Sequence, residues 1–180
     1  ELIEAYLAGR PELGVSIRLV REQEPRGTAG ALALVEDQGD ELLVVNGDVL
    51  TDLCFTDVVR THRSTGAALT LCIQQRHTQM TFGVVETDGD RAIGFREKPQ
   101  LVVDCAIGVN VYGRAALAVA RSRSPIDLPD VVGELLARGE RVAVHRHPGY
   151  WRDIGTRADY ERAQEDWASL ERTLFADPTE

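Results

Sequence analysis

Two short apolar runs do most to limit what this chain can become. Glu41–Asn46 (ELLVVN) and Ala67–Ile73 (AALTLCI) are apolar almost without interruption, so each reads as a strand buried on both faces. Such a strand needs cover above and below. Helix-patterned stretches lie close by: Thr28–Gln38, rich in small residues with Ala29, Ala31, Leu32 and Leu34 on one side, and Phe55–Thr65. Buried strands alternating with helices predict an α/β fold with a mainly parallel sheet covered on both sides.

The rest of the pattern extends that plan. Glu1–Ala8 reads as the end of an amphipathic helix closing at Gly9, and Val15–Val20 alternates like a strand. Phe82–Thr87 and Arg91–Arg96 flank Asp88-Gly89-Asp90, a hairpin signal that predicts an inserted antiparallel ribbon. Ile107–Tyr112 reads as a strand and Ala115–Ala120 as a helix. A further helix begins at Asp127, with Pro129 in its first turn, and ends at Arg138 before Gly139. Arg141–His145 supplies the last strand. Thr156–Leu170 is the closing helix, Thr156 and Asp159 having the spacing of a capping box. Repeats and linkers are absent from the pattern, so residues 1–180 are expected to form a single domain.

Composition narrows the function. The net charge of −9 argues against non-specific binding to nucleic acid or to a membrane surface, both of which call for a basic face. No apolar run approaches the ~20 residues of a membrane span. Cys54, Cys72 and Cys105 are odd in number and lack CxxC spacing, so neither a disulfide framework nor a zinc site is expected. Reduced thiols fit a cytoplasmic protein. Of the 20 Lys and Arg residues only Lys98 is a lysine.

Four places could carry chemistry. Asp48 follows the ELLVVN strand on an Asn-Gly-Asp turn, where an open parallel sheet places its ligand crevice. Asp153, in Tyr150-Trp151-Arg152-Asp153-Ile154-Gly155-Thr156, lies between the last strand and the last helix and can return to that crevice. Two converging carboxylates suit Mg²⁺ holding phosphates; turn formation and helix capping are the structural alternatives. Lys98, beside Glu97 and before Pro99, is expected to be held extended with its ammonium projecting towards a phosphate, Glu97 accepting from sugar hydroxyls. An exposed ion pair is the plain alternative there. Gly27 and Gly30, around Thr28, permit close approach of a ligand to backbone N–H groups, or else simply a Thr28 cap and tight packing. His62, His77, His145 and His147 show no metal-ligand spacing and read as surface or packing residues.

Seven segments in order resemble the sugar-1-phosphate nucleotidyltransferase family: Glu22…Pro25-Arg26-Gly27-Thr28-Ala29-Gly30-Ala31-Leu32, Asn46-Gly47-Asp48-Val49, Phe82-Gly83-Val84-Val85, Phe95-Arg96-Glu97-Lys98-Pro99, Gly108-Val109-Asn110-Val111-Tyr112, Asp127-Leu128-Pro129 and Tyr150–Thr156. The resemblance implies a Rossmann-like three-layer αβα domain of the GT-A-like type. It implies transfer of a nucleotidyl group from a nucleoside triphosphate to a sugar 1-phosphate, releasing pyrophosphate. Asp48 and Asp153 would hold Mg²⁺, and with Lys98 would form the catalytic set. Glu22, Gly27 and Thr28 would line the base and ribose site, Gly83 and Glu97 would contact the sugar, and Lys98 its phosphate. The wording of the motifs looks most like members using GTP and mannose 1-phosphate.

Departures from the family pattern are equally specific. The family opens with a strand and a Gly-rich loop gripping the triphosphate, and that strand-loop-helix unit of ~30 residues or more has no counterpart here. The chain by itself is therefore expected to be inactive. Asn110 stands where many members carry an aromatic residue. A non-catalytic homologue that senses nucleotide sugars is the alternative function, and a glycosyltransferase with an Asp-x-Asp metal motif fits less well. The reading leaves room for a homo-oligomer.

Overall fold

The computed structural model describes residues 2–7, 14–35 and 39–174. In chain order these form α1 (Leu2–Leu7), α2 (Gly27–Gly30), a 3₁₀ turn (Ala31–Leu34), β1 (Glu41–Val45), β2 (Val49–Thr51), α3 (Phe55–Thr65) and β3 (Leu69–Gln79). There follow β4 (Val84–Asp88), β5 (Arg91–Arg96), β6 (Gln100–Gly113), α4 (Arg114–Ser122), α5 (Leu128–Ala137), β7 (Val142–Arg146), β8 (Trp151–Asp153) and α6 (Arg157–Leu174).

The central sheet has the order β1-β6-β3-β7. β3 and β7 are parallel, while β6 runs antiparallel to both β1 and β3, so three of the four strands share one direction. Side-chain alternation along β6 divides the core. Tyr112 joins Leu69, Leu117, Ile126, Val131 and Leu135 beneath α4 and α5. Ile107, Val109 and Val111 join Cys72, Leu53 and Val58 beneath α3. These two apolar layers are the doubly covered, Rossmann-like three-layer arrangement that the ELLVVN and AALTLCI runs require.

The helix ends follow local chemistry. Gly66, at φ 60°, closes α3 in the left-handed conformation that glycine adopts most cheaply. Asp127 and Asp130 form a reciprocal capping box at the start of α5. Thr156 Oγ1 accepts from the Asp159 N–H at 3.1 Å where α6 begins.

Several elements differ from the sequence reading. Residues 15–20 form no strand: Val15, Ile17, Leu19 and Val20 are exposed. Alternation supplies a face but no partner, and no neighbouring strand pairs with this segment among the described residues. The small-residue helix is only α2 and one 3₁₀ turn, ending at Val35 in extended conformation, and 36–38 lie outside the described residues, as do Ala8 and Gly9. β3 and β6 run on as a long ribbon, pairing as far as Gln79 and Gln100. The polar run Gln74–Gln79 conceals that extension, because both faces of the ribbon are wet. β4 and β5 form the expected hairpin. β2 and β8 make a separate ladder of three pairs, Val49 opposite Asp153.

Two histidines tie the fold to pH. His62 is buried, its Nδ1 2.9 Å from Thr70 Oγ1, and burial lowers its pKa. His145 Nδ1 lies 2.8 Å from Thr61 Oγ1, and burial lowers its pKa too. For each, the folded state binds a proton less readily than the unfolded chain, whose histidines titrate near 6.5. Their contribution is complete above that pH and is lost as pH falls through it towards the lower folded value. We expect the melting temperature to fall between pH 7.5 and 5.5, and to fall less in His62→Gln. A calorimetric Tm that is flat or rises on acidification across that window would contradict this.

Candidate active site

The site is built where β1 ends. Asn46 N–H donates to Gly108 O at 2.8 Å, turning the chain out of the sheet. Gly108 stands at φ 74°, and a Cβ there would lie 2.7 Å from Asn46 Nδ2 and 3.1 Å from Val49 Cγ2. Only glycine lets this turn close on β6. The turn delivers Asp48 to one end of the β2–β8 ladder, and Asp153 enters the same end from the other strand. Ile154 N–H donates to Asp48 O at 2.8 Å, and Gly155 N–H to Asp153 Oδ1 at 2.8 Å.

Asp48 and Asp153 therefore meet over Gly155. A Cβ on that glycine would lie 3.0 Å from Asp153 Oδ1 and 3.3 Å from Asp48 Oδ2. No Lys, Arg or His forms an ion pair with either carboxylate among the described residues. Two adjacent, uncompensated carboxylates over a side-chain-free residue fit a hard cation. Mg²⁺ in particular is bound by one or two carboxylates together with waters and substrate phosphates. No group of three or more His, Cys, Asp or Glu able to hold a metal exists among the described residues, which leaves the remaining positions to such ligands.

One wall of the site is aromatic. Trp151 donates its indole N–H to Ile107 O at 2.8 Å and packs against the α3-side core. The Arg76 guanidinium lies over its ring, 4.7 Å from the centroid. Arg76, Trp151, Arg152, Asp153, Thr156 and Asp159 line a cavity of about 330 Å³. Arg152 is already engaged by Asp166 at 2.7 Å and by the Tyr150 hydroxyl at 3.0 Å. Arg76 has no carboxylate partner among the described residues, so its guanidinium edge can take an anion.

The other predicted residues form two further groups. Gly27 (φ 81°) and Thr28 dock onto the start of α5. Thr28 N–H donates to Asp127 Oδ1 at 2.7 Å, Leu128 N–H donates to Thr28 Oγ1 at 2.9 Å, and the N–H groups of Ala29 and Gly30 both donate to Ile126 O. The small residues there serve the approach of two backbones, with Thr28, Ala29 and Gly30 N–H groups satisfied within the protein. Glu22 lies on the exposed irregular segment that leads to them. Gly83, Glu97 and Lys98 gather beside the β4–β5 hairpin, where a Cβ on Gly83 would lie 2.5 Å from Phe95 Cζ and 3.3 Å from Glu97 Oε2. Lys98 Nζ is 3.9 Å from Glu97 Oε1, both exposed. Lys98 is not extended as its place before proline predicts: its φ is 41°. Gln79 at the ribbon tip donates its amide to Lys98 O, fixing that turn from outside. Among the described residues no hydrogen bond or ion pair joins this group, or Gly27 and Thr28, to Asp48 and Asp153.

The nucleotidyl transferase family model matches residues 1–169. The chain belongs to the nucleotidyl transferase family. It is 31% identical over 157 residues to the "Probable mannose-1-phosphate guanylyltransferase 1" of Oryza sativa subsp. japonica, covering 83% of this chain and 44% of that protein. To the mannose-1-phosphate guanylyltransferase catalytic subunit beta of Danio rerio it is 31% identical over 169 residues, covering 89% of this chain and 47% of the relative. The chain thus spans about half the length of the curated relatives it matches. A Bacillus anthracis structure named as a glucose-1-phosphate thymidylyltransferase, solved with a sucrose, superposes at a TM-score of 0.69 with 21% identity. It covers 99% of this chain and 73% of the other, and shows the shared fold.

Other features of this nucleotidyl transferase chain were not visible in its motifs. Arg76 lies in a polar run with no distinguishing pattern, and only the β3–β6 ribbon sets it over Trp151. Asn110 is buried on β6, and no donor within the described residues reaches its Oδ1. Burial pushes the Cys72 thiol up to about 12, so it stays protonated and is no nucleophile. No helix among the described residues is long and apolar enough to cross a membrane.

Proposed function

We propose that the protein transfers a nucleotidyl group from a nucleoside triphosphate to a sugar 1-phosphate, releasing pyrophosphate, with GTP and mannose 1-phosphate as the substrate pair. The meeting of Asp48 and Asp153 over Gly155, 105 residues apart in sequence (153 − 48), carries this reading. The names of the plant and fish relatives support the choice of pair.

Asp48 and Asp153 would hold Mg²⁺, which when bound supplies positive charge to the reacting phosphates. The residues themselves orient and neutralise. Asp153, pinned by the Gly155 N–H, has one oxygen fixed before any ligand arrives. The sugar phosphate oxygen attacks the α-phosphorus in line and pyrophosphate departs opposite, so the protein need form no covalent intermediate. Lys98 would meet the sugar phosphate, Gly83 and Glu97 the sugar, and Glu22, Gly27 and Thr28 the base and ribose. Catalysis is then positioning and charge complementarity.

Arg76 adds a cation to that set. Stacked on Trp151, it loses little freedom when it binds an anion, and it shares a cavity with Asp153. A hydrogen bond to a charged group contributes about 1.5–3 kcal/mol, so Arg76→Ala should raise KM for the sugar phosphate roughly 10- to 100-fold. The kcat should change far less. An unchanged KM would remove Arg76 from the site.

Mg²⁺-dependent pyrophosphate release by the complete gene product, measured across five nucleoside triphosphates and a panel of sugar 1-phosphates, tests the function. Release requiring GTP with mannose 1-phosphate is the expected result. Release with a different pair corrects the substrates. A folded protein inactive with every pair would overturn the enzyme and favour a non-catalytic binder of nucleotide sugars.

A further inference from the structure

The β2–β8 ladder has only three residue pairs, yet it sets the separation of Asp48 and Asp153. A two-stranded ladder this short does not hold its own register in water. Slipping it by one residue would carry Asp153 away from Asp48 by a strand step of about 3.3 Å and turn its side chain to the other face. Something outside the ladder must fix it.

At the end opposite the carboxylates the chain builds a clasp around His147. This ring is 8% exposed. Its Nε2 lies 3.1 Å from Tyr150 O, 3.3 Å from Thr51 Oγ1 and 2.9 Å from Asp52 Oδ1. Thr51 Oγ1 donates to Tyr150 O at 2.8 Å and accepts from the Leu53 N–H at 3.1 Å. The neighbours of Nε2 are thus acceptors, so this nitrogen carries the hydrogen and points it between Tyr150 O and Thr51 Oγ1. Asp52 Oδ1 meets the ring edge 2.9 Å from Nε2, with no aligned donor reaching it. The clasp is anchored to the main sheet: His147 N–H donates to Ile73 O at 2.9 Å, and the Gln74 amide donates to Gly149 O at 2.8 Å. Gly149 cannot carry a side chain, since a Cβ would lie 2.5 Å from Asp52 Oδ1 and 2.8 Å from His147 Cε1.

Through His147 and Gly149, which are bonded to Ile73 and Gln74 of β3, these contacts together tie Thr51 and Asp52 at the end of β2 and Tyr150 just before β8 to the main sheet. We infer that His147, with Thr51 and Asp52, is a positioning residue that locks the β2–β8 register and thereby places Asp48 and Asp153 for a divalent cation. It touches neither carboxylate. The inference rests on the Asp48–Asp153 site proposed above, and the control below separates the two.

The probe is Mn²⁺ alone, titrated by electron paramagnetic resonance into the complete protein, with amide exchange of Val49 and Asp153 read in parallel. Residues that orient metal ligands from outside typically alter affinity 10- to 100-fold. His147→Ala should therefore weaken Mn²⁺ binding about tenfold or more and speed both amides. His147→Gln, whose Nε2–H can stand where the imidazole Nε2–H stood, should recover affinity to within about threefold. Thr51→Val, a milder change, should weaken Mn²⁺ several-fold, and it decides the matter if His147→Ala does not fold. Wild-type Mn²⁺ affinity in folded His147→Ala, or in Thr51→Val, alongside loss in Asp153→Ala, overturns the clasp and leaves the site standing. Retained Mn²⁺ binding in Asp153→Ala overturns the site and the clasp together.

Discussion

Asp48→Asn and Asp153→Asn should each lower Mg²⁺-dependent pyrophosphate release by about 10³-fold or more while leaving the protein folded. A bound metal contributes several kcal/mol of charge stabilisation in a transition state, and each 1.36 kcal/mol is tenfold in rate. Two carboxylates define this site, so either change halves the protein's ligand set. Stability should move the other way. Without a cation the two carboxylates over Gly155 repel each other, and neither is compensated by an ion pair among the described residues. Neutralising Asp48 relieves that repulsion, and its side chain makes no hydrogen bond among the described residues, so Asp48→Asn should be as stable as the wild type or slightly more so. Asp153→Asn retains an oxygen able to accept from Gly155 N–H and should be near neutral. Activity lost together with an equal loss of stability would mean that these residues only hold the turn. Activity retained in both variants would remove the metal site.

The ELLVVN and AALTLCI runs disclosed the doubly covered sheet, because a strand apolar on both faces has few other destinations. The convergence of Asp48 and Asp153 was legible for a related reason: both follow strands of the main sheet, and connections after strands share one crevice. What could not be read was whatever depends on a partner distant in sequence. The alternation at 15–20 has the period of a strand, and nothing local reveals that no strand lies beside it. The ribbon from Gln74 to Gln79 looks like a polar loop until β6 is laid against it. The role of His147 is of this kind as well. In the sequence it reads only as a surface or packing residue, whereas its positioning role comes from Thr51, Asp52 and Tyr150.

Gly27 shows how a glycine within a candidate binding motif also serves a contact that only the fold reveals. The motif reads as room for a ligand or as a Thr28 cap with tight packing, and in the fold Gly27 and Thr28 pack against the start of α5. Gly27→Ala should cost about 3 kcal/mol or more, among the largest effects available to a single methyl group here. Holding a non-glycine residue at φ 81° costs roughly 1–2 kcal/mol. The added Cβ would also lie 2.5 Å from Ile126 O, 2.8 Å from Ile126 C and 2.9 Å from Asp127 Oδ1. Two of those atoms are backbone and cannot swing away, so Ile126 or α2 must shift. A shift strains the Thr28 N–H to Asp127 bond, the Leu128 N–H to Thr28 bond and the two donors to Ile126 O, each contributing about 0.5–1.5 kcal/mol. Ile126 is itself a core residue beneath α4 and α5, so the disturbance reaches the apolar layer. Urea denaturation should show the midpoint falling sharply with an unchanged m-value. Asp127→Asn, which keeps an acceptor for Thr28 N–H, should lose much less. A Gly27→Ala protein within 1 kcal/mol of wild type would mean that α2 can leave α5 freely, and that the glycine is kept for something other than this contact.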